Sequence, residues 1–212
     1  MRSIGWSVAA LLVVAAQTAP AQDPPGDGMA LLSPVTWERL VNSDDEPHNW
    51  LMYHGALHGQ RFSRLEQINR ENVDRLELKW AHQIRQLDRN ETTPLVVDGV
   101  MFITESPSNV TAVDAATGRA YWRYEHPLPD GIRLCCGRNN RGVAILGETL
   151  FMSTNDAHLV AIDARSGSLL WDTEVADHTK GYSKTATSSR WTRRRGRRYG
   201  ASSSAARRTR RR

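Results

Sequence analysis

An all-β chain built from stacked, repeated sheets is the fold class this sequence predicts, and three observations predict it. First, PLVVDGVMFITESPSNVTAVDAATGRAYW (94–122) and VAILGETLFMSTNDAHLVAIDARSGSLLW (143–171) are related at an offset of 49 residues. Second, at that offset Phe102 falls on Phe151, Ala112 on Ala161, Asp114 on Asp163, Gly118 on Gly167 and Trp122 on Trp171, so both copies contain A-x-D-x-x-x-G-x-x-x-W. Third, each part of that motif has a mechanical reading. An apolar strand enters a tight turn at the Asp, whose carboxylate accepts backbone N–H groups. The Gly supplies the positive φ that closes the hairpin, and the next strand delivers a Trp as a large apolar plug. One four-stranded unit cannot bury both of its faces, so neighbours must stack on it, with the Trp filling the gap. Strand-turn-strand units of period near 50 predict a β-propeller, of which about two blades are present.

Arg2 precedes the apolar run SVAALLVVAA, and Ala19-Pro20-Ala21 has the small-x-small form of a signal-peptidase site. The run is about ten residues, against roughly 20 needed to span a bilayer. Residues 1–21 therefore read as a secretory signal, 22–34 as a Pro/Gly/Asp-rich spacer, and no later segment has the length of a membrane span. Export places the mature chain where disulfides persist. SPVTWERLVNSDDEPHN then reads as a short helix, capped by Ser33 or Thr36, with Trp37, Leu40 and Val41 on one face. NWLMYHGALHGQRFSRLEQINRENVDRLELKWAHQI mixes turn glycines with a short helical register, RENVDRL. It ends in an alternating strand, Leu76, Leu78, Trp80.

Between the repeats, IRLCCGRNNRG carries the chain's two cysteines on adjacent positions, Cys135 and Cys136. Cα atoms across a trans peptide lie about 3.8 Å apart, below the roughly 4.4–6.8 Å usual for a disulfide. A bond between them would close an eight-membered ring, strain the peptide between them and staple almost no chain. Retained strain marks a site. Two buried free thiols and a metal site are the alternatives. Export disfavours the first, and adjacent cysteines lack the usual zinc-ligand spacing.

The chain from about Val35 to Thr187 resembles the PQQ-dependent (pyrroloquinoline quinone) alcohol dehydrogenases of the methanol/ethanol type. The likeness rests on NWLMYHGALHGQRFSRLEQINRENVDRLELKW, on ETTPLVVDGVMF, on the two Trp motifs and above all on CCGRNNRG. It implies an eight-bladed propeller with a Cys135–Cys136 disulfide ring against one face of PQQ. It also implies that Arg141, Glu91 and Thr185 contact the cofactor. A guanidinium fork suits the carboxylates and quinone oxygens of such a ligand. By the same resemblance the intact enzyme is periplasmic, uses Ca²⁺ or a lanthanide, oxidises primary alcohols to aldehydes and passes electrons to a cytochrome c. The family's metal ligands and catalytic Asp fall beyond this chain, so no catalytic base and no metal ligand are assigned. A cofactor-free propeller scaffold that binds proteins is the alternative, and the vicinal cysteines, Glu91 and Arg141 argue against it.

Residues 188–212 break the pattern. They hold eleven of the chain's 28 basic residues and no acid, which leaves 17 basic against 23 acidic residues, or −6, for the rest. Such a tail has nothing to bury and reads as disordered. An arginine run also suggests nucleic acid, but export sets that aside. A reading-frame shift after Thr187 accounts for the change: TCG-TCG-CGG-TGG-ACG encodes Ser-Ser-Arg-Trp-Thr in one frame and a strand-like segment ending Val-Ala-Val-Asp in a neighbouring one. On that expectation the true protein is several hundred residues longer, and this polypeptide alone is poorly soluble and inactive.

Overall fold

The computed structural model describes residues 27–86, 89–132, 134 and 137–183. Two four-stranded antiparallel sheets carry the architecture. The first is β1 (Leu95–Val97), β2 (Val100–Glu105), β3 (Asn109–Asp114) and β4 (Ala120–Glu125), in that order. The second is β5 (Ala144–Leu146), β6 (Thr149–Ser153), β7 (His158–Asp163) and β8 (Leu169–Glu174), again in sequence order. The 49-residue repeat is therefore two consecutive up-and-down blades. The registers repeat with it: Phe102 faces Ala112 and Phe151 faces Ala161, while Ala112 faces Trp122 and Ala161 faces Trp171. Both blades shift register just after that Ala, so the bulge is part of the repeat too.

The turn chemistry expected of the motif is present in both copies. Asp114 Oδ1 accepts from the backbone N–H of Ala116 (3.0 Å) and Thr117 (2.8 Å). Asp163 Oδ1 accepts from Arg165 (3.1 Å) and Ser166 (2.7 Å). Gly118 and Gly167 stand at φ +74° and +72°. Each glycine has a second duty that its φ does not reveal. A Cβ on Gly167 would lie 2.5 Å from the Trp122 ring, and one on Gly118 would lie 2.6 Å from Trp80. The indole lies flat on the glycine, and its N–H donates to a carbonyl beside it: Trp122 Nε1 to Ala164 O, Trp80 Nε1 to Ala115 O, both at 3.1 Å. Trp80, Trp122 and Trp171 thus mark three successive outer positions of one stack.

The segment of Leu76, Leu78 and Trp80 is not a strand, although Trp80 docks as β4's Trp122 does. Alternation suits a half-buried strand only where another strand supplies ladder hydrogen bonds. Among the described residues none lies beside this segment, and Leu78 is 85 % exposed. RENVDRL likewise contracts to a single 3₁₀ turn, Val73–Arg75.

The N-terminal region clasps both blades. The expected helix is one turn, α1 (Trp37–Val41), with Thr36 as its N-cap accepting from Arg39 N–H. Of its three apolar residues only Leu40 packs against the core; Trp37 and Val41 are exposed. Val35 bridges to Gly147 of the second blade and Trp50 bridges to Val96 of the first. Arg39 binds Glu46 (2.7 Å) and Asp98 (2.8 Å) and so ties α1 to the β1–β2 turn. Arg165 reaches back to the carbonyls of Met29 (3.0 Å) and Leu32. A single core runs through clasp and blades, from Leu32 and Val35 through Leu95, Phe102 and Val110 to Leu150, Met152 and Ile162.

Candidate functional site

The lead-ins to the first strand of each blade, 89–94 and 137–143, come together at one end of the stack. They are held by a seam of buried small polar groups. Thr93 N–H donates to Arg141 O (3.1 Å). Thr104, wholly buried on β2, shares its hydroxyl with Thr92 (2.9 Å) and donates to Asn140 O (3.2 Å). Ser106 takes Asn90 Oδ1 on its N–H (3.2 Å) and donates its hydroxyl to Arg138 O (2.6 Å). Asn140 donates to Ser153 O (2.9 Å) and accepts from Gly142 N–H (3.2 Å). Gly142 stands at φ +142°, and a Cβ there would meet Thr93 O at 3.2 Å. The glycine lets the two lead-ins approach.

That approach brings Glu91 and Arg141, fifty positions apart, into an ion pair. Arg141 Nε and Nη2 both bind Glu91 Oε2, at 3.2 and 3.1 Å. Arg89 stands 3.9 Å from the other Glu91 oxygen. Tyr53 borders the pair. A hydrogen bond with Thr93 holds its hydroxyl below the ordinary tyrosine value, and the Arg61 and Arg141 charges act in the same direction. Arg61 lies over the Tyr53 ring (5.2 Å) and donates to His54 Nδ1 (2.8 Å). The result is an exposed, predominantly cationic rim with one carboxylate at its centre. It offers guanidinium donors and a phenol to an anionic, oxygen-rich ligand.

Of the residues expected to form the site, Glu91 and Arg141 meet. Cys135, Cys136 and Thr185 lie outside the described residues. The reading of the sequence missed Thr92, Thr104, Ser106, Asn139 and Asn140, although NN stands inside the motif it relied on. Asn139 and Asn140 are buried, and an asparagine pair next to a glycine is the signal that could have marked a backbone-pinning turn. One triplet of the described residues converges as a metal site would: Glu46, His48 and Asp98. Arg39 already lies between its two carboxylates and Asn49 donates to both. Burial would raise the Asp98 carboxyl, but Arg39, the Ser33 N–H and Asn49 outweigh it and hold it below its usual value. Arg39 and Asn49 thus already occupy carboxylate oxygens that a cation would need, and Arg39 offsets one of the two negative charges.

Residues 50–172 match the family model described as PQQ: glucose/ethanol/alcohol dehydrogenase, beta-propeller domain. The chain belongs to this PQQ dehydrogenase family. It is 41 % identical over 160 residues to a quinoprotein ethanol dehydrogenase of Pseudomonas aeruginosa, covering 74 % of this chain and 26 % of that protein. The solved quinohemoprotein alcohol dehydrogenase ADHIIG of Pseudomonas putida HK5 is similar at 36 % identity and a TM-score of 0.67, over 72 % of this chain and 23 % of that one. A europium-containing methanol dehydrogenase follows at 34 % identity and a TM-score of 0.63, over 68 % and 26 %. The chain spans about a quarter of the length of these relatives. Among the described residues no helix is long and apolar enough to cross a membrane. The all-β propeller reading stands, with its Trp motifs in their expected places.

Proposed function

We propose that this quinoprotein chain is the N-terminal part of an exported, periplasmic alcohol dehydrogenase that binds PQQ through Glu91, Arg141, Cys135, Cys136 and Thr185. The observation that carries the reading is the Glu91–Arg141 pair, fixed across two blades by the Thr93–Arg141 hydrogen bond. The described residues fit such a ligand. PQQ is a tricarboxylate with an ortho-quinone, and Arg141 presents an exposed guanidinium already oriented by Glu91, with Arg89, Arg61 and Tyr53 around it. When bound, the quinone supplies the two-electron oxidising chemistry. This chain's part is to orient the ligand and hold negative charge at Arg141. The substrate is a primary alcohol, leaving as an aldehyde, and electrons pass to a cytochrome c. A Ca²⁺ or lanthanide ion completes the intact site on residues this chain lacks. The 212-residue polypeptide is accordingly inactive by itself.

Two experiments test this. Resequencing across the codons for Thr187 to Arg198 should reveal a single-base shift, and restored blade sequence beyond it. The repaired product should then take up PQQ with a change in its absorbance and oxidise primary alcohols to an artificial acceptor. Arg141→Ala should weaken PQQ uptake at least tenfold, in line with about 1.5–3 kcal/mol for a charge-assisted hydrogen bond. A repaired protein that binds no PQQ would make it a scaffold.

A further inference from the structure

Tyr53 stands where the N-terminal clasp meets the lead-ins to both blades. Trp50 pairs with Val96 on the edge of β1 that β2 leaves free, through Trp50 N–H to Val96 O (2.8 Å) and Val96 N–H to Trp50 O (3.0 Å). The pairing is antiparallel, so the chain leaving Trp50 runs back along the first lead-in and brings Tyr53 to Thr93 and Gly142. The turn that follows is closed by Gly55 N–H on Met52 O (2.9 Å), and the Trp50 indole lies on Gly55, 3.0 Å from where a Cβ would stand. Tyr53 and His54 are its two central residues. A second turn closes from Gly59 N–H to Ala56 O (3.0 Å), and Arg61, at φ +55°, folds the chain back on the first. A residue with a side chain rarely adopts that conformation. The return puts Arg61 Nε on His54 Nδ1 (2.8 Å) and the guanidinium 5.2 Å over the Tyr53 ring.

Two guanidinium groups therefore bear on one phenol, Arg61 from the loop and Arg141 from the second lead-in. Each is tethered in a way that leaves donors over. Arg61 uses Nε on His54, and Arg141 uses Nε and Nη2 on Glu91. The imidazole nitrogen that accepts from Arg61 is unprotonated, so that ring leaves the Arg61 charge unopposed, whereas Glu91 offsets the charge of Arg141. We propose that Arg61 and Tyr53 are further binding residues of this rim and, together with Arg141, take one carboxylate of PQQ. The proposal rests on the reading of the rim as a PQQ site, and adds which group of the ligand is held and by what. Two guanidinium groups and a hydroxyl offer N–H and O–H donors to an anion with two oxygens. A neutral quinone carbonyl would leave the Arg61 charge unanswered.

The test is equilibrium dialysis of PQQ against the full 212-residue chain, at about 0.15 M salt to screen the arginine-rich tail. Arg61→Ala should weaken uptake about tenfold or more, and Arg61→Lys, which keeps the charge and loses the fork, by less. Tyr53→Phe separates binding from packing. It keeps the ring on which Arg61 rests and removes only the hydroxyl, so a packing role predicts no change and a binding role a loss of about tenfold. Should circular dichroism show that Arg61→Ala disturbs the fold, Tyr53→Phe decides alone. The trimethyl ester of PQQ keeps the quinone and loses the carboxylate charges, and its uptake should be indifferent to Arg61→Ala. No uptake by the parent chain, uptake of PQQ unchanged by Tyr53→Phe or by Arg61→Ala, or an ester that depends on Arg61 as PQQ does would each overturn the inference. Arg141→Ala tells the two failures apart. If it alone weakens uptake, the rim stands as a PQQ site without Arg61 and Tyr53; if none of the three matters, both readings fall.

Discussion

Trp122 and Trp171 occupy the same place in two blades of one repeat, yet one is a docked plug and the other an exposed ring. Their strands pair in the same register, and their phenylalanine neighbours stand at nearly the same distance. Trp122 has Gly167 and Ala164 O of the second blade beside it, and Trp171 has no such floor among the described residues. Burial of this motif is a property of the interface between blades, and a blade read alone says only what it is ready to bury. Trp80 makes the complementary point: its indole docks on Gly118 and Ala115 O while its backbone finds no ladder among the described residues.

The two tryptophans should differ most when their rings are removed. Trp122→Ala should destabilise the chain by about 3–5 kcal/mol in urea unfolding. Trp171→Ala should cost less than about 1 kcal/mol at concentrations where the chain is monomeric; equal losses would mean that β8 is covered. The glycines come next. Gly167→Ala drives a methyl to 2.5 Å from a Trp fixed in a sheet, and should cost about 3 kcal/mol. Gly118→Ala creates the same clash against Trp80, whose segment is free to give way, and should cost about half as much.

The charged groups at the blade seam sharpen the contrast further. His126, leaving β4, meets Asp156 of the second blade at 3.0 Å, and Thr154 binds the same carboxylate. Burial would raise the Asp156 carboxyl, but the bonds from His126 and Thr154 outweigh it and hold it below its usual 3.8. Glu105, buried with Thr111, Arg123 and His82, is held below 4.5 in the same manner. Groups lowered by folding contribute stability that is complete above their unfolded values and is lost as pH falls through the folded ones. Acid unfolding should therefore set in below about pH 4, and Asp156→Asn should lower stability at pH 7 by about 2 kcal/mol while flattening that acid limb. The smallest effect tests where the blades ought to agree. Asp114→Asn and Asp163→Asn should each cost about 1 kcal/mol. Asp114 should lose slightly more, because it also accepts the Tyr121 hydroxyl at 2.8 Å.

What was legible in the sequence follows the same division. The hairpins were, because Asp114, Gly118 and their counterparts fix turns through contacts a few residues away. The docking of Trp122 was, because period and offset imply a neighbour. The fate of Leu76–Trp80 was not, since alternation records a readiness to pair and not the presence of a partner. At the blade seam, family likeness singled out Glu91 and Arg141 but not their pairing, and Thr104, Ser106 and Asn140 went unread. Thr104 and Ser106 satisfy carbonyls more than thirty residues away, which leaves no local trace, whereas Asn140 pins Gly142 and Ser153 from within an asparagine pair that a reader could have marked.

The clasp imposes an order of events on the chain. Val35 bonds to Gly147, and Arg165 reaches the carbonyls of Met29 and Leu32. Synthesis runs from the N-terminus, so the earliest part of the described fold to be made must wait for most of the rest before it has anything to hold. Both hairpin blades can close from neighbouring sequence, while the clasp can only be laid over them afterwards. Its apolar residues, Leu32 and Val35 among them, stay wet until then. The first part of the described fold to be made is the last to find its place.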